Sequence, residues 1–226
     1  VPDKAAYDPT HLAWTAALLA WVLAVPLFFV TKFATVVAHE GGHAIVATLL
    51  FRKVRRIGFD SSGGGGTDVA PPVPWLFNIA IGAAGYLGPS MFGLLAVEVL
   101  VRGAPEVVLW MSVVFLLVML FVVRGGVGLV LVPALTAAIV LIAVKTHPPL
   151  QTLFAHMWVW FLLIAPVERM LLLVRRRDYR LPDNDTAKLG KWTPLPAEIW
   201  SLALLAGTIA ALVYGGSLLL RHAGPL

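Results

Sequence analysis

No cysteine occurs in the 226 residues, which excludes disulfides and thiolate metal ligands, so any metal held by this chain is held by imidazole and carboxylate. Charge is scarce as well. Charged residues make up 13% of the chain, about half the share of an ordinary soluble domain, so little is left to coat a large water-exposed surface. The glycine run Gly63 to Gly66 is not followed by Gly-Lys-Ser/Thr, which excludes a phosphate-cradling loop of the P-loop type. The net charge of +5 is concentrated where span-flanking residues belong. It therefore points to anionic lipid headgroups beside Arg175 to Arg180 and away from nucleic acid.

What the chain has in excess is apolar sequence. Hydrophobic residues are 59% of it and the mean hydropathy is +0.87. Its uninterrupted apolar runs reach the roughly 20 residues that cross a bilayer as helix. The expected fold is an all-α polytopic membrane protein of about 6–7 transmembrane helices, one membrane-embedded domain over residues 1–226. Spans are expected near 12–30, 33–51, 75–101, 105–123, 126–144, 150–174 and 198–220, with breaks at Lys32, the Arg52 to Asp68 loop, Arg102 to Pro105, Arg124-Gly125-Gly126, Lys145 to Pro149 and the basic run from Arg175. With seven spans, Lys4, Arg52, Lys53, Arg55, Arg56, Arg124 and the basic residues from Arg175 to Lys191 share one side. Only Lys32, Arg102, Lys145 and Arg221 lie on the other. The positive-inside rule then puts the N-terminus in the cytoplasm.

One polar cluster interrupts this apolar background. His39-Glu40-Gly41-Gly42-His43 is an HExxH motif inside the apolar stretch from Phe33 to Phe51. An acid at a helix centre in a membrane costs roughly 2.5–3.5 kcal/mol on insertion scales, so it demands a compensating partner. Residues i and i+4 share a helix face, so His39 and His43 can offer two imidazole nitrogens to one zinc ion. Glu40 then flanks the open position as general base for a metal-activated water. Two glycines inside a helix each cost about 0.8–1 kcal/mol relative to Ala; here they leave room for another backbone, either a neighbouring helix or a substrate strand. At about 12 Å from the end of its span, the motif needs a water-filled cavity.

These residues, followed by a basic Gly-rich loop, Ala84-Gly85-Tyr86-Leu87-Gly88-Pro89-Ser90 in the next span, and Leu195-Pro196 with Trp200 after a long basic loop, resemble the bacterial M50B-like branch of the site-2 protease family. The resemblance implies a zinc-dependent intramembrane peptidase of the bacterial inner membrane, cutting transmembrane or juxtamembrane segments of other proteins. It also implies a third zinc ligand within an Asp-Gly element on a later helix, and no Asp-Gly pair occurs in this chain.

Asp185, in the loop Pro182-Asp183-Asn184-Asp185-Thr186, is the first candidate for the third ligand: its loop faces the side nearer the motif, and this branch carries a similar acidic element there. Glu168 lies inside the sixth span, beside Arg169, and reads equally as a ligand or as half of an ion pair. Asp60 and Asp68 bracket the glycine run and suit a solvated turn. His147 and His156 start from the opposite side, and His11 and His222 suit the interface. The segment Val54 to Asp68 reads equally as a hairpin that holds an extended substrate, with Val54 to Phe59 as one arm and Gly63 to Gly66 as the turn, and as a flexible linker. Two functional classes follow: an active peptidase with His39, His43 and Asp185 on Zn2+ and Glu40 as base, or a degenerate scaffold serving a larger membrane complex.

Overall fold

The structure is a computed structural model and describes residues 9–222. Among these the chain forms α1 (Pro9–Ala24), α2 (Phe28–Leu49), β1 (Val54–Phe59), β2 (Gly65–Val69), α3 (Trp75–Val101), α4 (Pro105–Val122), α5 (Gly128–Lys145), α6 (Pro148–Arg176), α7 (Asp185–Trp192) and α8 (Ala197–Arg221). Helices α3, α4, α5, α6 and α8 are each long and apolar enough to cross a membrane. The all-α polytopic expectation holds, and the short hairpin after the second helix is formed.

The first two expected spans need correction. The break predicted at Lys32 falls at residues 25–27, where α1 and α2 meet at 98°, and Lys32 lies inside α2. Pro26 is the cause. It has no N–H to donate and disfavours helical backbone at Val25, and the Leu27 N–H reaches back to the Val22 carbonyl at 3.0 Å. The seven-span count therefore becomes five helices and one bent pair, or six crossings if the pair crosses as one. At 16 residues, α1 is about 24 Å long, short of the roughly 30 Å apolar core. The break at Arg124 is where expected, turned by Gly125 and Gly126 at φ +69° and +63°, a conformation that favours glycine. Prolines mark helix starts elsewhere, at Pro105 and Pro148, where a missing N–H costs nothing.

Two close approaches position the site. A Cβ on Gly42 would stand 2.3 Å from the Ala84 carbonyl oxygen, and one on Gly88 would stand 2.9 Å from Gly42 Cα, so α2 and α3 cross backbone to backbone. The gap expected beside the motif is thus filled by a neighbouring helix. A stripe of Ala16, Ala20 and Ala24 on α1 lies in the main apolar core with Ala155 and Val159 of α6. A second, smaller cluster gathers Tyr86, Met170, Leu173, Tyr179, Leu189 and Leu204 beneath α7.

The segment Val54 to Asp68 forms a hairpin, but the turn expected at Gly63 to Gly66 falls at residues 60–64, because Gly65 and Gly66 pair with Phe59 and Gly58 as part of β2. Strands β1 and β2 pair antiparallel, with Ile57 opposite Thr67, Gly58 opposite Gly66 and Phe59 opposite Gly65. At the tip the Asp60 carboxylate accepts from the N–H groups of Ser62 (2.8 Å) and Gly64 (2.9 Å). Hydrogen bonds, the one from the Ser62 side chain foremost, hold its pKa below the usual carboxylate value. The tip folds back along α2, where Lys32 Nζ donates to the Ser62 carbonyl at 2.5 Å, while Thr67 meets Glu40. Non-helical backbone at that depth is tolerated where it lines a polar cavity. The outer edge of β1 is covered, since the Arg124 N–H donates to the Ile57 carbonyl at 2.9 Å. The tip and the strand pair thus give Asp60 and Asp68 their partners within the hairpin, Asp68 Oδ2 lying 4.0 Å from Arg56 Nε.

Candidate metal centre

Helix α2 carries His39, Glu40 and His43 fully into the protein, at 3%, 3% and 6% exposure. The helical i, i+4 spacing brings the two Nε2 atoms to 3.1 Å. Asp185 is the first residue of α7, and its Oδ2 lies 3.1 Å from His39 Nε2 and 3.2 Å from His43 Nε2. Three donor atoms thus form a nearly equilateral triangle. Three ligands at about 2.0–2.1 Å from one tetrahedral zinc would stand about 3.3–3.4 Å apart, so the donor set fits a metal of that size.

The hydrogen-bond pattern around the triangle argues the same way. His43 Nδ1 donates to the Ile81 carbonyl at 2.6 Å, which fixes the neutral tautomer and leaves Nε2 with a lone pair. Facing it at 3.2 Å is another acceptor, the Asp185 carboxylate. Two acceptors in that position need a cation between them, either a proton on the ring or a metal. A backbone carbonyl on the outer nitrogen of a histidine is also the usual support of a metal-ligating imidazole. His39 Nδ1, by contrast, is buried without a partner among the described residues.

Asp185 is held from several directions. Lys188 Nζ donates to its Oδ1 at 3.2 Å, which leaves Oδ2 for the two histidines. Burial raises the cost of its charge; with a ring proton rather than a metal as the cation between them, hydrogen bonds from His39 and His43 outweigh that cost and hold its pKa well below the usual carboxylate range. The preceding residue, Asn184, caps α7: its Oδ1 accepts from Thr186 N–H (3.0 Å), Thr186 Oγ1 (2.7 Å) and Tyr86 Oη (3.1 Å). Tyr86 also packs edge-on against His39, with centroids 4.7 Å apart. Leu189, fully buried, and Trp192 rest over Gly82 of α3.

Glu40 offers a second carboxylate within 4.8 Å of both imidazoles, but it is tied elsewhere. Its Oε2 accepts from Thr67 Oγ1 at 2.7 Å, and a Cβ on Gly65 would stand 2.7 Å from its Oε1. The hairpin therefore presses a glycine against this carboxylate. A glycine also faces the histidines from α3, where a Cβ on Gly85 would be 2.3 Å from His43 Nε2 and 2.7 Å from His39 Cε1. Glu40, the two histidines, Gly65 and Thr67 line a cavity of about 820 Å³ that extends from Lys188 and Asp183 past His39 and Glu40 to Asp60 at the hairpin tip. It is a route for water to the motif.

The sequence model of the Peptidase M50B-like family matches residues 12–215. The chain belongs to this family. No curated protein and no solved structure matches it.

Within this M50B-like protein the other candidate ligands lie apart from the triangle. Asp60 and Asp68 border the cavity but serve the hairpin. Glu168 does not line the cavity, whereas its neighbour Arg169 does. His156 Nδ1 bonds to the Thr152 carbonyl and His222 Nδ1 to the Leu218 carbonyl, and His147 caps the far end of α6. Sequence reasoning missed Thr67, Tyr86, Asn184, Lys188 and Arg169 as site neighbours. Asn184 alone carried a usable signal, as an Asn-Asp-Thr step suited to a helix start.

Proposed function

We propose that this protein is an intramembrane zinc metallopeptidase in which His39, His43 and Asp185 hold the metal and Glu40 is the general base. The observation that carries the reading is the Asp185 carboxylate oxygen 3.1 and 3.2 Å from the two imidazole nitrogens. A carboxylate in that position can stand in for the one the missing Asp-Gly element would have provided, which supports the active reading over a degenerate scaffold. A zinc ion held by these three residues would supply Lewis acidity, to activate a water and to polarise a carbonyl. Glu40 takes the water proton and delivers it to the leaving nitrogen, its orientation fixed by the Thr67 hydroxyl.

The substrate is a segment of a membrane protein, held extended. With the outer edge of β1 covered by Arg124, β2 is the strand left to accept an added strand along the cavity. The hairpin face, with Arg52 to Arg56 and Arg175 to Arg180, is the cytoplasmic one by its basic residues. The N-terminus shares that side only if α1 crosses the bilayer by itself.

The test is cleavage of a reconstituted transmembrane reporter by the zinc-loaded protein. Glu40→Gln is expected to retain zinc and lose cleavage by about 10²-fold or more. Cleavage by Glu40→Gln at the wild-type rate would reject the assignment.

A further inference from the structure

A cation inside a membrane-spanning helix is costly and calls for a named partner. The other cations lining the cavity have theirs. Lys188 holds Asp185, Arg56 faces Asp68, and Arg124 Nη1 donates to the Val123 carbonyl. Arg169, on α6, has none: among the described residues its guanidinium makes no ion pair and no hydrogen bond. It is partly buried, it lines the same cavity as the metal centre, and its charge acts on His39 and Tyr86. The ion pair with Glu168 that the sequence suggests does not form.

We propose that Arg169 is a catalytic residue that binds the carbonyl oxygen of the scissile peptide bond as negative charge develops on it. The inference rests on the peptidase reading. As the water oxygen bonds to the carbonyl carbon, one water proton passes to Glu40 and the π electron pair of the carbonyl moves onto its oxygen. The negative charge that was on Glu40 therefore appears on the substrate oxygen. When the carbon–nitrogen bond breaks, that pair re-forms the carbonyl and the Glu40 proton goes to the departing nitrogen. Glu40 is fixed to the hairpin and Arg169 comes from α6, so proton acceptor and charge stabiliser come from different walls of the cavity. A guanidinium presents five N–H donors in a rigid fork and stays protonated throughout, which suits an oxygen that gains charge only in the transition state.

The experiment uses the full chain, zinc-loaded in detergent, and reads two quantities other than turnover: zinc per chain, and affinity for a short phosphinic peptide, an anionic tetrahedral mimic. Arg169→Gln is expected to keep its zinc and to bind the mimic about 10²-fold more weakly. Arg169→Lys, which keeps the charge but not the fork, should fall between Arg169→Gln and wild type. Equal affinity in Arg169→Gln and wild type would overturn the proposal, as would loss of zinc or of the folded state in both variants, which would make Arg169 structural. A wild type that binds neither zinc nor the mimic would instead sink the peptidase reading itself.

Discussion

The two halves of the metal centre are built by different means. His39 and His43 come from one continuous helix, buried, with their spacing fixed by the helical repeat. Asp185 comes from an 8-residue helix that is 146 residues further along the chain from His39 and is held against α3 and α8 by tertiary contacts. The first half is set by local geometry and locked by glycine contacts. The second half exists only while α7 stays docked. Damage to the α2–α3 crossing should therefore unfold the membrane core, while damage to the α7 dock should leave the core intact and weaken only the metal site.

The largest effect is expected from Gly42→Val. The new Cβ must push against the Ala84 carbonyl, a backbone atom that cannot swing aside, so the cost is expected at or beyond the upper end of the roughly 1–3 kcal/mol usual for overpacking, and it falls on the core as a whole. A lowered melting temperature in detergent, accompanied by loss of metal, is the expected outcome; an unchanged melt would mean that α2 and α3 do not cross this closely. Leu189→Ala is the matching lesion in the dock. Truncating a fully buried leucine costs about 2–5 kcal/mol, here taken from α7 alone. Zinc affinity should drop at least tenfold with little change in the melting of the helical core, and a parallel fall in both would abolish the distinction between the halves.

Tyr86→Phe gives the smallest effect. It removes only the hydroxyl that donates to Asn184 Oδ1, about 1 kcal/mol for one hydrogen bond. Zinc affinity should weaken roughly fivefold on that figure with the aromatic contact to His39 kept. Isothermal titration with zinc would resolve a change of that size, and no change would detach the Tyr86–Asn184 bond from the placing of Asp185.

The same division decides what was legible in the sequence. His39, Glu40 and His43 could be read directly, because a helix converts spacing into geometry without outside help. Asp185 could be ranked first only from its side of the membrane and from a family likeness; its approach to His39 depends on Leu189, Asn184 and Tyr86 meeting across long separations. Arg169 reads in the sequence only as a possible ion-pair partner for Glu168, yet neighbours in sequence on a helix point about 100° apart, and Arg169 lines the cavity where Glu168 does not. Lys32 reads as a break in the sequence, but its partner is a carbonyl at the hairpin tip, a contact with no sequence mark. Pro26 did carry the signal for that bend. The pairing of β1 with β2 was half visible in Ile57, Phe59 and Thr67, whereas the folding of that pair back along α2 rests on the Thr67–Glu40 contact.

The central claim is that Asp185 completes the metal set begun by the two histidines. Its most direct test is elemental mass spectrometry of the purified protein, comparing wild type, His43→Ala and Asp185→Ala. The account predicts one zinc per wild-type chain and its loss in both variants. Zinc retained at full stoichiometry and affinity in Asp185→Ala would contradict it and leave the third donor to another residue.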